Sequence, residues 1–343
     1  MNLKVLSGVQ RTKEFLGRSV KKQNPNIILE LFRKNSNYKT FGIKDTSEIS
    51  DEFIEKLLVK GYSWNTIDSC SDRGRAVDLN LLNPITGKLM IGSSSGTAIN
   101  ILYGLNTIGI GTDGGGSVLG PAIGLNLYSV LLSGIGIKGR SRKKSTDSIE
   151  FIPGVGVIAQ NFSDLKEVCE IFLMESQEKI EKCCALDLDL EAYEKLSKNY
   201  KIDFLKTSKR PYKREDMITF LKDIFKSYNA FIYLEKDIEI EGIGDSVLGV
   251  MGKKASEIQK SSNKGFLKVL NMMDCSAITI PSGDIGSAIV IVVPKGEKYL
   301  KSLLEISFIL SEDKRAELYK EYFLNYPLKE IDSREFKNWR EYD

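Results

Sequence analysis

Two clusters of serine and glycine hold the residues best suited to chemistry in this chain of 343 residues. In Gly111-Thr112-Asp113-Gly114-Gly115-Gly116-Ser117, three consecutive glycines end on a serine. With no side chains in the way, the backbone N–H groups of Gly114, Gly115 and Gly116 can converge on one point. Holding an oxyanion beside a nucleophile needs that arrangement. Upstream lies a second cluster, Gly92-Ser93-Ser94-Ser95-Gly96. An apolar, helix-like stretch at 99–105 separates the two, so both clusters can return to one place. A serine nucleophile needs a base, and the chain contains no histidine. Ser-His-Asp and Cys-His machinery and zinc sites of the HExxH type are thereby excluded. A base here must be a lysine, a carboxylate or a bound water.

The two clusters resemble the amidase signature, which runs Gly-Ser-Ser-Gly-Gly, a helix, then Gly-Thr-Asp-x-Gly-Gly-Ser and Pro-Ala. Gly92-Ser93-Ser94, Gly111 to Ser117 and Pro121-Ala122 fall in that order. The resemblance implies Ser117 as nucleophile and Ser93 as relay, the latter on a cis peptide bond in the family. It also implies a lysine base in a hydrophobic-Lys-Asp context, which Phe41-Gly42-Ile43-Lys44-Asp45 supplies through Lys44. Such a lysine acts only when neutral, and burial lowers its pKa in that direction. Thr112, Asp113 and Ser94 then become supporting residues. Flanking likenesses at 155–165 and at Ala277-Ile278-Thr279-Ile280-Pro281-Ser282-Gly283 extend the match to about 40–310.

The implied activity is a serine amidase acting on carbon–nitrogen bonds other than peptide bonds, through an acyl-Ser117 intermediate, with no cofactor and no metal. A small-molecule amide is the expected substrate. Alternatives are an amidotransferase or amide-forming enzyme using the same site, and an inactive relative that binds a ligand or partner. One departure is Leu119, where the family carries an Arg that braces the site; Asp113 is expected to lack that partner. Dinucleotide-like GxGxxG spacings occur at Gly109-Gly111-Gly114 and Gly134-Gly136-Gly139, two matches in one glycine-rich region, and the first has no acid between Gly114 and Asp147 to meet a ribose. SxxK spacings at Ser36, Ser141 and Ser261 come without SDN or KTG partners. The basic run Lys138 to Lys144 reads more readily as a solvated loop than as a phosphate or tRNA contact.

The elements that must position these residues follow from periodicity. Residues 51–60 predict a helix with Phe53, Ile54, Leu57 and Leu58 on one face, stopped by Gly61. A helix capped by Ser163 is expected over 163–173, another over 215–228, and a third over 299–310. The β-branched runs 277–280 and 288–293 predict buried strands. The charged stretch 175–214, which holds Cys183 and Cys184, is expected to be a surface helical region. Strands and helices mix throughout, so the class is α/β: the amidase signature fold, a mixed twisted central sheet with helices on both faces. One domain over 1–343 is expected, with a signature core at about 40–170, a charged helical region at 171–235 and C-terminal strands and helix at 270–312.

Bulk properties set the remaining bounds. Hydrophobic residues make up 42% and charged residues 28%, enough for a sizeable core. A net charge of +3 is too small a bias to argue for nucleic acid or an anionic membrane. No apolar run approaches the length of about 18 residues that a membrane span needs, and the N-terminus lacks a secretory h-region. The five cysteines form no CxxC pairs, and their odd count argues against a disulfide framework. A cytoplasmic protein is expected, with a homo-oligomer compatible with the sequence.

Overall fold

The computed structural model describes residues 3–34, 38–145, 147–175, 177–206, 210–238, 253 and 264–329. Ser36 and Ser261, two of the serines in SxxK spacing, lie outside them.

The strand Ala288–Val293 shows how the core is organised. Successive side chains of a strand point to opposite faces. Ile289, Ile291 and Val293 accordingly join one hydrophobic core, and Ala288, Val290 and Val292 join another. All six are buried, so the strand has helices on both sides and reads as a continuous apolar run. Each fully buried Ile or Val stabilises the fold by about 1.5–3 kcal/mol relative to exposure.

The strands in chain order are β1 Val20–Gln23, β2 Thr40–Lys44, β3 Ser63–Asp68, β4 Val77–Leu82, β5 Leu89–Ile91, β6 Ile108–Asp113, β7 Tyr128–Leu131, β8 Lys143–Lys144, β9 Glu150–Phe151, β10 Gly154–Ala159, β11 Lys182–Leu186, β12 Lys201–Phe204, β13 Ala230–Glu235, β14 Ser276–Pro281 and β15 Ala288–Val293. Eleven of them form one sheet in the order β1-β3-β2-β6-β10-β7-β14-β15-β13-β11-β12. β2 pairs in parallel with both β3 and β6, and β11 with both β12 and β13; the other ladders are antiparallel. The sheet is thus mixed. β4 and β5 form a separate antiparallel pair, as do β8 and β9.

The helices are α1 Leu3–Arg11, α2 Ile27–Lys34, α3 Asp51–Val59, α4 Ser95–Leu102, α5 Leu119–Gly124, α6 Phe162–Glu170, α7 Leu190–Ser197, α8 Arg214–Phe225 and α9 Gly296–Leu310, with shorter turns beyond. One core receives Phe53 and Leu57 of α3, Leu165 and Val168 of α6, and Leu300 and Leu303 of α9. The opposite core receives Leu119 and Ile123 of α5 and Met217, Leu221 and Ile224 of α8. Helices therefore cover both faces of a mixed sheet, as the fold class requires.

Three local expectations need correction. Ser163 does not cap α6: it lies inside the helix, and Asn161 holds the N-cap position without a side-chain cap bond. By contrast the Ser50 hydroxyl does accept from Phe53 N–H at the start of α3, 3.3 Å away. The stretch 175–214 is not helical throughout: it holds the helix Leu190–Ser197 between two strands. It contains the strands β11 and β12, and Cys183 and Cys184 sit fully buried on β11 between its two parallel neighbours. The third correction concerns Ser93, whose flanking peptide bonds are trans, like all those of the described residues. Gly92 makes that turn possible instead, with φ of +79°. A Cβ at Gly92 would also stand 2.6 Å from Pro121 Cδ, so the site tolerates no side chain.

Candidate active site

Parallel pairing of β2 with β6 sets Ile43 beside Ile110. One residue further, Lys44 at the end of β2 meets Thr112 near the end of β6. Its ammonium donates to Thr112 Oγ1 at 2.9 Å and to Ser93 Oγ at 2.6 Å. Ser93 reaches this point from the turn between β5 and α4, and Ser117 from the turn between β6 and α5. The two turns are joined directly, Ser94 N–H donating to Ser117 C=O at 3.2 Å. Ser94 Oγ also faces Thr112 C=O at 3.5 Å.

Lys44 is only 5% exposed. Burial pushes its pKa down to about 8, opposed by the nearby Asp113 carboxylate. Cys70 stands close by with its Sγ 3.4 Å from Asp45 C=O. Burial raises the Cys70 thiol, while its proximity to Lys44 opposes both shifts.

Asp113 is the brace of the turn that carries Ser117. Its Oδ1 accepts from Gly116 N–H at 2.6 Å, and its Oδ2 from Val118 N–H at 2.7 Å and Leu119 N–H at 3.2 Å. Two expectations change as a result. Asp113 does lack the arginine, but three backbone donors satisfy it, one of them the N–H of Leu119 itself. And the Gly116 N–H is already engaged, so it is not available to an oxyanion. Gly116 serves the turn by its φ of +81°, packed against Leu267 and the stem of Lys264.

A cavity of about 650 Å³ opens onto these residues. Lys44, Ser93, Thr112, Gly114, Gly115 and Ser117 all line it, whereas Gly116 does not. The volume suits a small molecule. Ser117 is part-exposed, and among the described residues its hydroxyl makes no hydrogen bond. In ligand-free enzymes such bonds are often long and close only around substrate.

Several lining residues carried no signal in the sequence. Cys70, Arg73 and Arg75 come from one loop, Lys143 from β8, Phe151 from β9, Arg214 from α8, and Met272 from the segment before β14. Arg73 and Arg75 sit in Ser71-Asp72-Arg73-Gly74-Arg75, a turn signature flanked by charge that motif reading passed over. The basic run 138–144 resolves into ion pairs: Lys138 with Asp274, Arg140 with Asp51, Arg142 with Glu150 and Lys143 with Glu48. Among the described residues no group of three or more Cys, Asp or Glu side chains could hold a metal ion. No helix among them is long and apolar enough to cross a membrane.

No protein-family model and no curated protein matches this sequence. Solved structures do match in three dimensions. An amidase family protein from Bacillus anthracis str. Ames aligns over 92% of this chain and 89% of its own, with TM-score 0.62 and 12% identity. A 6-aminohexanoate cyclic dimer hydrolase aligns over 92% and 94%, with TM-score 0.61 and 10% identity. Kluyveromyces lactis allophanate hydrolase aligns over 96% of this chain and 73% of its own, with TM-score 0.60 and 12% identity. Identities this low speak to the fold alone, and on that level the chain, a mixed sheet with helices on both faces, adopts the amidase signature fold.

Proposed function

We propose that this chain is a serine amidase of the amidase signature family, cleaving a C–N amide bond through an acyl-Ser117 intermediate. The observation that carries the reading is the buried contact of 2.6 Å between Lys44 Nζ and Ser93 Oγ, on the wall of the cavity that Ser117 also lines. A lysine drawn down to about 8 is neutral in about a tenth of molecules at pH 7, against well under a thousandth for an ordinary lysine.

Neutral Lys44 takes the Ser93 proton as Ser93 takes the proton of Ser117, whose Oγ forms a bond to the amide carbonyl carbon. The carbonyl electron pair moves onto oxygen, facing the Gly114–Gly115 stretch of backbone. Collapse expels the amine, which leaves with the proton returned through Ser93 from Lys44. Water then attacks the acyl-Ser117 ester by the same relay and releases the acid.

Intact-mass labelling with a fluorophosphonate tests this without knowledge of the substrate. The expected result is one adduct on the wild type, none on Ser117→Ala, and slower addition on Lys44→Ala. A folded wild type that takes no label contradicts the reading and favours a ligand-binding role.

A further inference from the structure

The cavity around Ser117 is unevenly charged. Four cations other than Lys44 line it, Arg73, Arg75, Lys143 and Arg214, against a single acid, Asp45. Lys143 is engaged by Glu48 at 3.2 Å, Arg214 by Asp147, and Asp45 by Lys21. Arg73 and Arg75 remain: among the described residues, no carboxylate forms an ion pair with either. Both are exposed.

Their loop is built rather than loose. Arg73 holds a left-handed conformation, φ 50° and ψ 25°, which a residue with a side chain adopts infrequently. Gly74 N–H donates to Ser71 C=O, Arg75 N–H to Asp72 C=O, and the Ser71 hydroxyl to Arg75 C=O. The next residue, Ala76, accepts from Gly92 N–H at 2.6 Å, beside the relay serine. The backbone that carries the two arginines is thus tied to the turn that carries Ser93.

We infer that the substrate is an anionic amide, whose carboxylate is held by Arg73 and Arg75 while its amide carbonyl meets Ser117. The guanidinium fork matches a carboxylate through paired N–H donors, and two forks on one loop favour such a group over a neutral one. The inference rests on the serine amidase reading for the role of Ser117, but its binding half can be measured alone.

Isothermal titration of glutaramate and of the neutral pentanamide into Ser117→Ala gives that measurement. Glutaramate is expected to bind at least about tenfold more tightly. The preference is expected to vanish in Ser117→Ala carrying R73Q and R75Q, and to persist in part with R73K and R75K, which keep charge but lose the fork. It should also shrink between about 0.05 and 0.5 M salt, since the arginines are exposed. Equal affinities, no binding of glutaramate at tens of millimolar, or a preference untouched by R73Q/R75Q in a folded protein would each overturn the inference. Fluorophosphonate labelling of the wild type separates the two readings. Labelling without an anion preference removes only the substrate class; an anion preference without labelling keeps the anion site and removes the serine chemistry.

Discussion

Lys44 Nζ stands 2.6 Å from Ser93 Oγ, although 49 residues separate them along the chain. One comes from the end of an interior strand, the other from a glycine turn, and both are buried. The pairing places an amine of weakened basicity against the Ser93 hydroxyl. Most of the testable chemistry follows from this contact.

The first consequence is a pH profile. Protonated Lys44 cannot accept a proton, so the reactive form is the neutral amine, favoured above about 8. The rate of fluorophosphonate addition to Ser117 should rise about tenfold per pH unit below that value and level off above it. Rates followed from pH 6 to 10 check this, and a flat profile would show that Lys44 is not the base.

The same shift has a stability counterpart of opposite chemical meaning. The folded pKa of about 8 lies below the ordinary 10.5, so between those values the unfolded chain binds more protons. Stability from this group therefore rises with pH across that window and is lowest below pH 8. At about 1.4 kcal/mol per unit, the difference is on the order of 3 kcal/mol. Urea unfolding should find that Lys44→Met improves its standing against wild type by that order at pH 7 relative to pH 10.5. A gap that does not change with pH would mean that Lys44 is not desolvated.

Thr112 is a positioning residue for the lysine. Its hydroxyl oxygen accepts from Lys44 Nζ at 2.9 Å, which favours the charged form. Thr112→Val should lower the plateau rate by roughly fivefold, the worth of about 1 kcal/mol, and move the pH midpoint below 8. Thr112→Ser should restore both. A change in rate with no change in midpoint would mean that the hydroxyl only packs.

Asp113→Asn tests the brace. The carboxylate accepts from three backbone N–H groups through both oxygens. An asparagine amide keeps one acceptor oxygen and turns an NH₂ toward donors, at a cost of about 2–4 kcal/mol. Thermal unfolding should register the loss, and labelling at Ser117 should fall with it. Wild-type behaviour in both measurements would remove Asp113 from the architecture of the turn.

The turns that carry Ser93 and Ser117 were legible in the chain because their geometry is local. Gly92 to Ser94 and Gly111 to Ser117 specify tight turns by residue type, and such turns form wherever the flanking elements put them. The helices at 51–59, 214–225 and 296–310 and the strands at 276–281 and 288–293 were legible for the same reason, since periodicity of 3.6 or an apolar run is written in neighbouring residues. The strand β11 was not. Cys183-Cys184-Ala185-Leu186 is a short apolar run between charged stretches, and it becomes a strand only because β12 and β13 pair with it on either side.

What the sequence determined by itself was the chemical vocabulary: no histidine, serines set among glycines, and an α/β alternation that fits the amidase signature fold. Only the tertiary structure decided how those residues are used. Parallel pairing of β2 and β6 brings Lys44 to Thr112, and burial there lowers its basicity. The close approach of two turns sets Ser93 beside it, while Asp113 takes the Gly116 N–H for the turn. Arg73 and Arg75 line the cavity from a loop whose next residue, Ala76, bonds to Gly92. Desolvation, hydrogen-bond competition and charge balance all depend on what lies next to a group in space, and distance along the chain does not encode that.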